Sequence, residues 1–169
     1  MMSNFPALLS QLHQLEFDYA DGEGIDFEPF QNFISTTDTL EWLRLWTGNS
    51  EIDHSPFLVF GQDGTGGYAA FWLIEASLDI LEQPIVFFGS EGEIGVVAKN
   101  FNDYLWLLAQ NFGPYEAVEE SHSNRSSNAV FLDFAKQHAT SAYRPALEMI
   151  QAAQIAYPTF ETQIEALCR

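Results

Sequence analysis

Carboxylates dominate the residues that could do chemistry in this chain. Twenty-four Asp and Glu stand against six Lys and Arg, a formal net charge of −18 over 169 residues. Two sets of acids lie close together. Asp18, Asp21, Glu23, Asp26 and Glu28 alternate with Phe17, Tyr19, Ile25 and Phe27, and Glu91 and Glu93 flank Gly92. A calcium loop needs acids two apart and glycine at its sixth position. Asp18, Asp21 and Glu23 miss that register, so no metal is expected there. Two carboxylates can share acid and base roles when their surroundings split their pKa values, but Glu91 and Glu93 fall in a tight, solvated turn. Ser90 lacks the Gly-x-Ser-x-Gly setting of a nucleophile. His54 has no second His or Cys at ligand spacing. His13 and His122 read as solvated, and His138 as the edge of a core. The chain is therefore read as non-enzymatic, with no cofactor and no metal. Acids interleaved with aromatic anchors suit a protein interface instead. The candidate partner-binding set is Asp18, Tyr19, Asp21, Glu23, Asp26, Glu28, Asp63, Glu91 and Glu93.

The charge is uneven. Residues 1–43 carry eight acids and no Lys or Arg, and the sums over 1–43, 44–114 and 115–169 are −8, −7 and −3. Such a surface repels nucleic-acid phosphates and anionic lipid headgroups. It attracts basic proteins, and steering of this kind raises association rates by roughly 10–10³-fold. A solubility role for the acids is the plainer alternative. No apolar run approaches the ~20 residues of a membrane helix. The N-terminal stretch lacks the basic region and cleavage site of a secretory leader, and Cys168 is the single cysteine. A cytoplasmic setting is the expectation that follows.

The acids must be positioned by the apolar runs between them. Phe57–Phe60, Tyr68–Ile74, Ile85–Phe88 and Ile94–Ala98 are rich in β-branched and aromatic residues and are bounded by Gly, Asp and Ser. They predict two hairpins, with turns at 61–67 and 89–93. Most are apolar on both faces, so helices should cover both sides of the sheet. The loop 61–67 is no phosphate cradle, since it lacks a Walker Lys-Ser/Thr and leads into a strand. Asp63 is expected to bond its own turn. Segments 16–19 and 25–28 alternate with period two and predict short strands around a Gly-rich turn.

Helices are predicted on either side. One over 4–15 starts at an Asn4 cap, with Leu8, Leu12 and Leu15 inward. Another is capped by Asp38 with Glu41 and ends at Gly48-Asn49. A third begins at Asn100 and stops at Gly113-Pro114, with 115–128 a polar loop. Further helices begin at Asn128, Pro145 and Pro158-Thr159. The fold class is α+β: one domain over 1–169, with a mostly antiparallel sheet of about five or six strands among helices.

Several of these residues also carry a resemblance. Asp63-Gly64-x-Gly66-Gly67 after an apolar strand, then Pro84 to Glu93 with Gly89-Ser90-Glu91, then a Leu- and Trp-rich helix, resembles the SUKH superfamily. Upstream, Trp46-Thr47-Gly48-Asn49 is similar to that group's helix end. The likeness covers residues 37–114. It implies the SUKH (Smi/Knr-like) fold, with Trp46, Gly48, Asp63, Gly64, Gly66, Gly67, Pro84, Gly89, Ser90 and Glu91 as structural motif residues. The group contains bacterial immunity proteins that neutralise secreted toxins, many of them nucleases, and yeast regulators of cell-wall synthesis. The resemblance thus implies a basic toxin as partner, or an adaptor role without one.

Overall fold

A computed structural model describes residues 4–169. Its centre is one antiparallel sheet of five strands: β1 (Glu28–Pro29), β2 (Phe57–Gln62), β3 (Tyr68–Trp72), β4 (Ile85–Phe88) and β5 (Ile94–Ala98), in the order β1-β2-β3-β4-β5. The two predicted hairpins pair through β3 and β4, so the four long strands form a plain meander. Among the described residues there are seven α-helices: α1 (Ala7–Leu12), α2 (Thr36–Thr47), α3 (Phe101–Ala109), α4 (Pro114–Glu119), α5 (Ala129–His138), α6 (Ala146–Ala156) and α7 (Phe160–Leu167).

Alternate strand residues point to opposite faces, and both faces are apolar. Leu58, Phe60, Phe71 and Phe87 join one core with residues of α1, α3 and α5. Phe57, Val59, Trp72, Val86 and Phe88 join a second core with residues of α2 and α7. Met149 and Ile150 of α6 belong to the first core and Ala153 to the second, so α6 spans the two layers where it packs on β5. At the other edge, the amides of Phe30 and Ile34 donate to the Phe60 and Val59 carbonyls. The outer side of β2 is thereby covered, which blunts it against pairing with other chains.

Local chemistry explains where the helices start and stop. Asn100 and Asn128 accept from the Asp103 and Phe131 amides and so cap α3 and α5 as expected. Gly48 ends α2 at φ 67°, in the left-handed region open to glycine. Four expectations fail. α1 begins after Pro6 rather than at Asn4, and no side chain caps it. α2 begins at Thr36, because Ser35 Oγ takes the Asp38 amide that the predicted cap would have preceded. Residues 16–19 and 25–28 do not make two strands: Ala20–Gly22 form a 3-10 turn, and only Glu28–Pro29 pair with the sheet. The segment predicted as a loop over 115–128 contains α4, since proline is suited to the first helical position.

A bulge between Val59 and Gly61 disturbs the β2–β3 register. The ring of Phe27 fills the space that a side chain at 61 would need. Gly61→Ala is therefore expected to destabilise the fold by about 1–3 kcal/mol. Chemical denaturation should show that Phe27→Leu recovers part of that loss in the double variant.

Candidate functional site

The two hairpin turns lie side by side at one end of the sheet. Ser90 Oγ and Thr65 Oγ1 are 2.9 Å apart and join them. Asp63 accepts from the Thr65 amide, the Thr65 hydroxyl and the Gly67 amide at 2.8–3.0 Å. Glu93 Oε1 accepts from the Glu91 amide at 2.8 Å and shapes the second turn. The acidic segment docks on the first turn, where Asp26 Oδ1 takes the Gly64 amide at 2.8 Å. Opposite stands α4. Its Glu116 accepts from the Asp26 amide at 3.1 Å and from the Gly113 amide at 3.0 Å. One carboxylate thus ties the acidic segment to the start of the helix.

Together these elements enclose an open cavity of about 350 Å³, lined by Tyr19, Asp26, Glu91, Glu93, Tyr115 and Glu120 among others, with Glu116 in its wall. Four of the nine residues proposed for partner binding meet here: Tyr19, Asp26, Glu91 and Glu93. Asp18 and Glu23 line a neighbouring hollow of about 400 Å³. Asp21 is exposed beside them. Glu28 is exposed at β1 and accepts from Gln62 Nε2. Asp63 is a correction to that set. It is 4% exposed and its bonds go to its own turn, so it offers no carboxylate at the surface.

The motif residues shape this end. Trp46 packs on Phe88 and donates from Nε1 to the Gly89 carbonyl at 2.9 Å. Gly66 sits at φ 91°. A side chain at Gly67 would meet the Phe87 ring and the Phe88 carbonyl. Gly64 donates to Asp26, whereas Pro84 lies at the opposite end of the sheet, where its carbonyl accepts from Trp72 as β4 begins.

Two residues missed by the sequence reading hold the acids in place. Arg125 Nε donates to the Asn111 carbonyl at 2.6 Å, and Nη1 to Glu120 at 2.9 Å. Nη2 reaches the Gly24 carbonyl. The guanidinium also lies 5.6 Å from the centre of the Phe112 ring. Glu116 is the second. Burial pushes its carboxyl up to about 7, against the pull of the Asp26 and Gly113 amides and of Arg125. Glu116 could have been found, because Gly113-Pro114-x-Glu116 places an acid where it can accept from the residue before the helix. Arg125 sits in a Ser/Asn-rich stretch without periodicity, and no local signal marks it.

Tyr115 is also raised, first by burial and then by Glu120, Glu119, Glu116 and Glu93. Burial raises Tyr104 well above the usual tyrosine range. His13 is the third miss. It is not solvated but 4% exposed, enclosed by Phe5, Phe17, Phe27 and Phe60. Its Nδ1 lies 2.5 Å from the Phe30 carbonyl, and Nε2 has no partner. Burial lowers it to about 4. Its place just past the Leu9–Leu12 stripe hid this, because the covering rings come from distant segments. His122 and His54 are exposed, and His138 packs tilted against Phe134 at the core edge.

Among the described residues, no group of three His, Cys, Asp or Glu is placed to hold a metal ion, and no helix is long and apolar enough to cross a membrane. Compared with known proteins, the chain matches no family model, no curated protein and no solved structure.

His13 and Glu116 should make stability depend on pH in opposite senses. Neutral buried His13 adds stability above about pH 6.5 that is lost as pH falls through about 4. Protonated Glu116 adds stability below about pH 4.5 that is lost as pH rises through about 7. Each effect amounts to about 3 kcal/mol at roughly 1.36 kcal/mol per pH unit. Relative to wild type, His13→Phe should gain stability as pH is lowered through its window. Glu116→Gln should gain as pH is raised through the other. Urea unfolding across the pH range checks both signs, and parallel curves would contradict them.

Proposed function

We propose that this chain is a non-enzymatic domain that binds a basic protein partner through its acidic end. The observation that carries this reading is the convergence of Tyr19, Asp26, Glu91 and Glu93 with Tyr115 and Glu120 around one open cavity. These residues come from three stretches far apart in sequence. The guanidinium among them, that of Arg125, is 6% exposed and already bonded. Glu120 is paired with it, whereas among the described residues Asp26, Glu91 and Glu93 have no Lys or Arg at ion-pair distance, and Tyr19 stands 56% exposed at the rim. Charge of this kind sets the rate of encounter, and an aromatic anchor slows dissociation.

Within this reading, the partner class that fits best is a toxin with a basic, phosphate-holding active site, as the SUKH resemblance implies, and the protein acts in the cytoplasm as its immunity partner. A domain of the same design serves equally as an adaptor when the basic partner is a resident protein. Like charge repels nucleic-acid phosphates and anionic membrane surfaces, which supports a protein as the target.

The test begins with capture of basic proteins on the immobilised chain at low salt, followed by kinetics with the purified partner. Association should slow steeply with added salt while dissociation changes little. Glu91→Lys should cut the association rate by about tenfold, and Tyr19→Ala should speed dissociation. Binding indifferent to salt and to both variants would overturn the proposal.

A further inference from the structure

Two carboxylates at the acidic end are withdrawn from water, and they differ. Asp63 receives three hydrogen bonds from its own turn. Glu116, 2% exposed, receives one amide on each oxygen. Among the described residues, no Lys, Arg or His nitrogen lies within ion-pair distance of Glu116. The groups around it are almost all acids or neutral phenols. Asp26 and Tyr19 come from the acidic segment, Glu91 and Glu93 from the β4–β5 turn, Tyr115 from α4 itself and Glu120 from the residue that follows it. Glu119 also stands on α4, and Tyr104 of α3 is buried with its hydroxyl unpaired. Arg125 is the cation of the neighbourhood, and its ion pair is with Glu120 at 2.9 Å. A buried carboxylate without a counter-cation binds a proton far more readily than an exposed one.

We infer that Glu116 is a proton-binding site coupled to the acidic cavity, so that a Lys or Arg side chain of the partner entering the cavity expels its proton to solvent. This rests on the reading of the cavity as a seat for a basic partner. An incoming cation supplies the charge that the wall lacks, and an opposite charge within ~4–6 Å lowers a carboxyl pKa by about 1–3 units. Coupling of this kind is reciprocal: the cation favours the ionised carboxyl, and the ionised carboxyl favours the cation. The consequence reaches the acidic segment as well. A neutral carboxyl is the weaker acceptor, so protonation relaxes the grip on the Asp26 amide, and occupancy tightens it. The partner then binds best where the acidic segment is most firmly held.

The probe is an arginine-rich peptide, used with the full chain. Carbon-13 spectra of the glutamate carboxyls in free wild-type protein should show one group titrating near neutrality, absent in Glu116→Gln. Calorimetry near pH 7 in buffers of different ionisation heat should show proton release on peptide binding, and affinity should rise by up to about tenfold between about pH 6 and pH 8. Glu116→Gln should lose that release. Glutamates that all titrate below about pH 5.5 would overturn the inference without any ligand, whether or not the variant folds. Peptide binding with no proton release would overturn it while leaving the acidic face as a binding surface. No peptide binding at any pH would bring down both.

Discussion

The acidic end of this protein keeps its shape around one guanidinium. Arg125 reaches the backbone of the acidic segment at Gly24, the carbonyl of Asn111 after α3, and the carboxylate of Glu120 at the end of α4. Those three pieces of chain would otherwise meet with carbonyl against carboxylate. They also carry the non-glycine residues of left-handed backbone: Ala20 at φ 48°, Asp21 at φ 53° and Asn111 at φ 64°. That conformation costs roughly 1–2 kcal/mol per residue. It persists where surrounding contacts over-determine it, and the fork of Arg125 supplies such contacts. A lysine would keep the charge but not the fork.

Beneath that end the molecule is closely packed. The sheet is buried on both faces, with aromatic rings tilted or edge-on at 4.7–6.5 Å throughout the two cores. The turns project from this slab on short, glycine-bearing connections. Asp63 and Glu93 hold the turn backbones through their own carboxylates. Glu91 and Tyr19 are therefore displayed by a fixed support, which limits the ordering cost of binding. The same burial sets the protonation behaviour. His13 and Glu116 are both pressed toward their neutral forms, in opposite directions on the pH scale.

The four long strands, both hairpin turns and the caps at Asn100, Asn128 and Gly48 were legible in the sequence because each depends on neighbours a few residues away. So was the self-bonding of Asp63. The site was legible only in part. Alternating acids and aromatics marked residues 18–28 as a surface, but not the way that surface folds back onto the hairpins. That docking rests on Gly64 with Asp26, on Asp26 with Glu116, and on Gly24 with Arg125, pairs separated by 38, 90 and 101 residues. No local pattern encodes such pairs. His13 failed for the same reason: its helix is short, and the rings that bury it arrive from elsewhere in the chain.

The acidic segment, the two hairpin turns and α4 are proposed to act as one face for a cation-bearing partner. The most direct test is to titrate an arginine-rich peptide into nitrogen-15-labelled protein and map the amides that move. Saturable shifts confined to residues 19–26, 64–66, 90–93 and 113–120 are expected. Shifts spread over the whole acidic surface, or centred on a face away from these turns, would contradict that proposal.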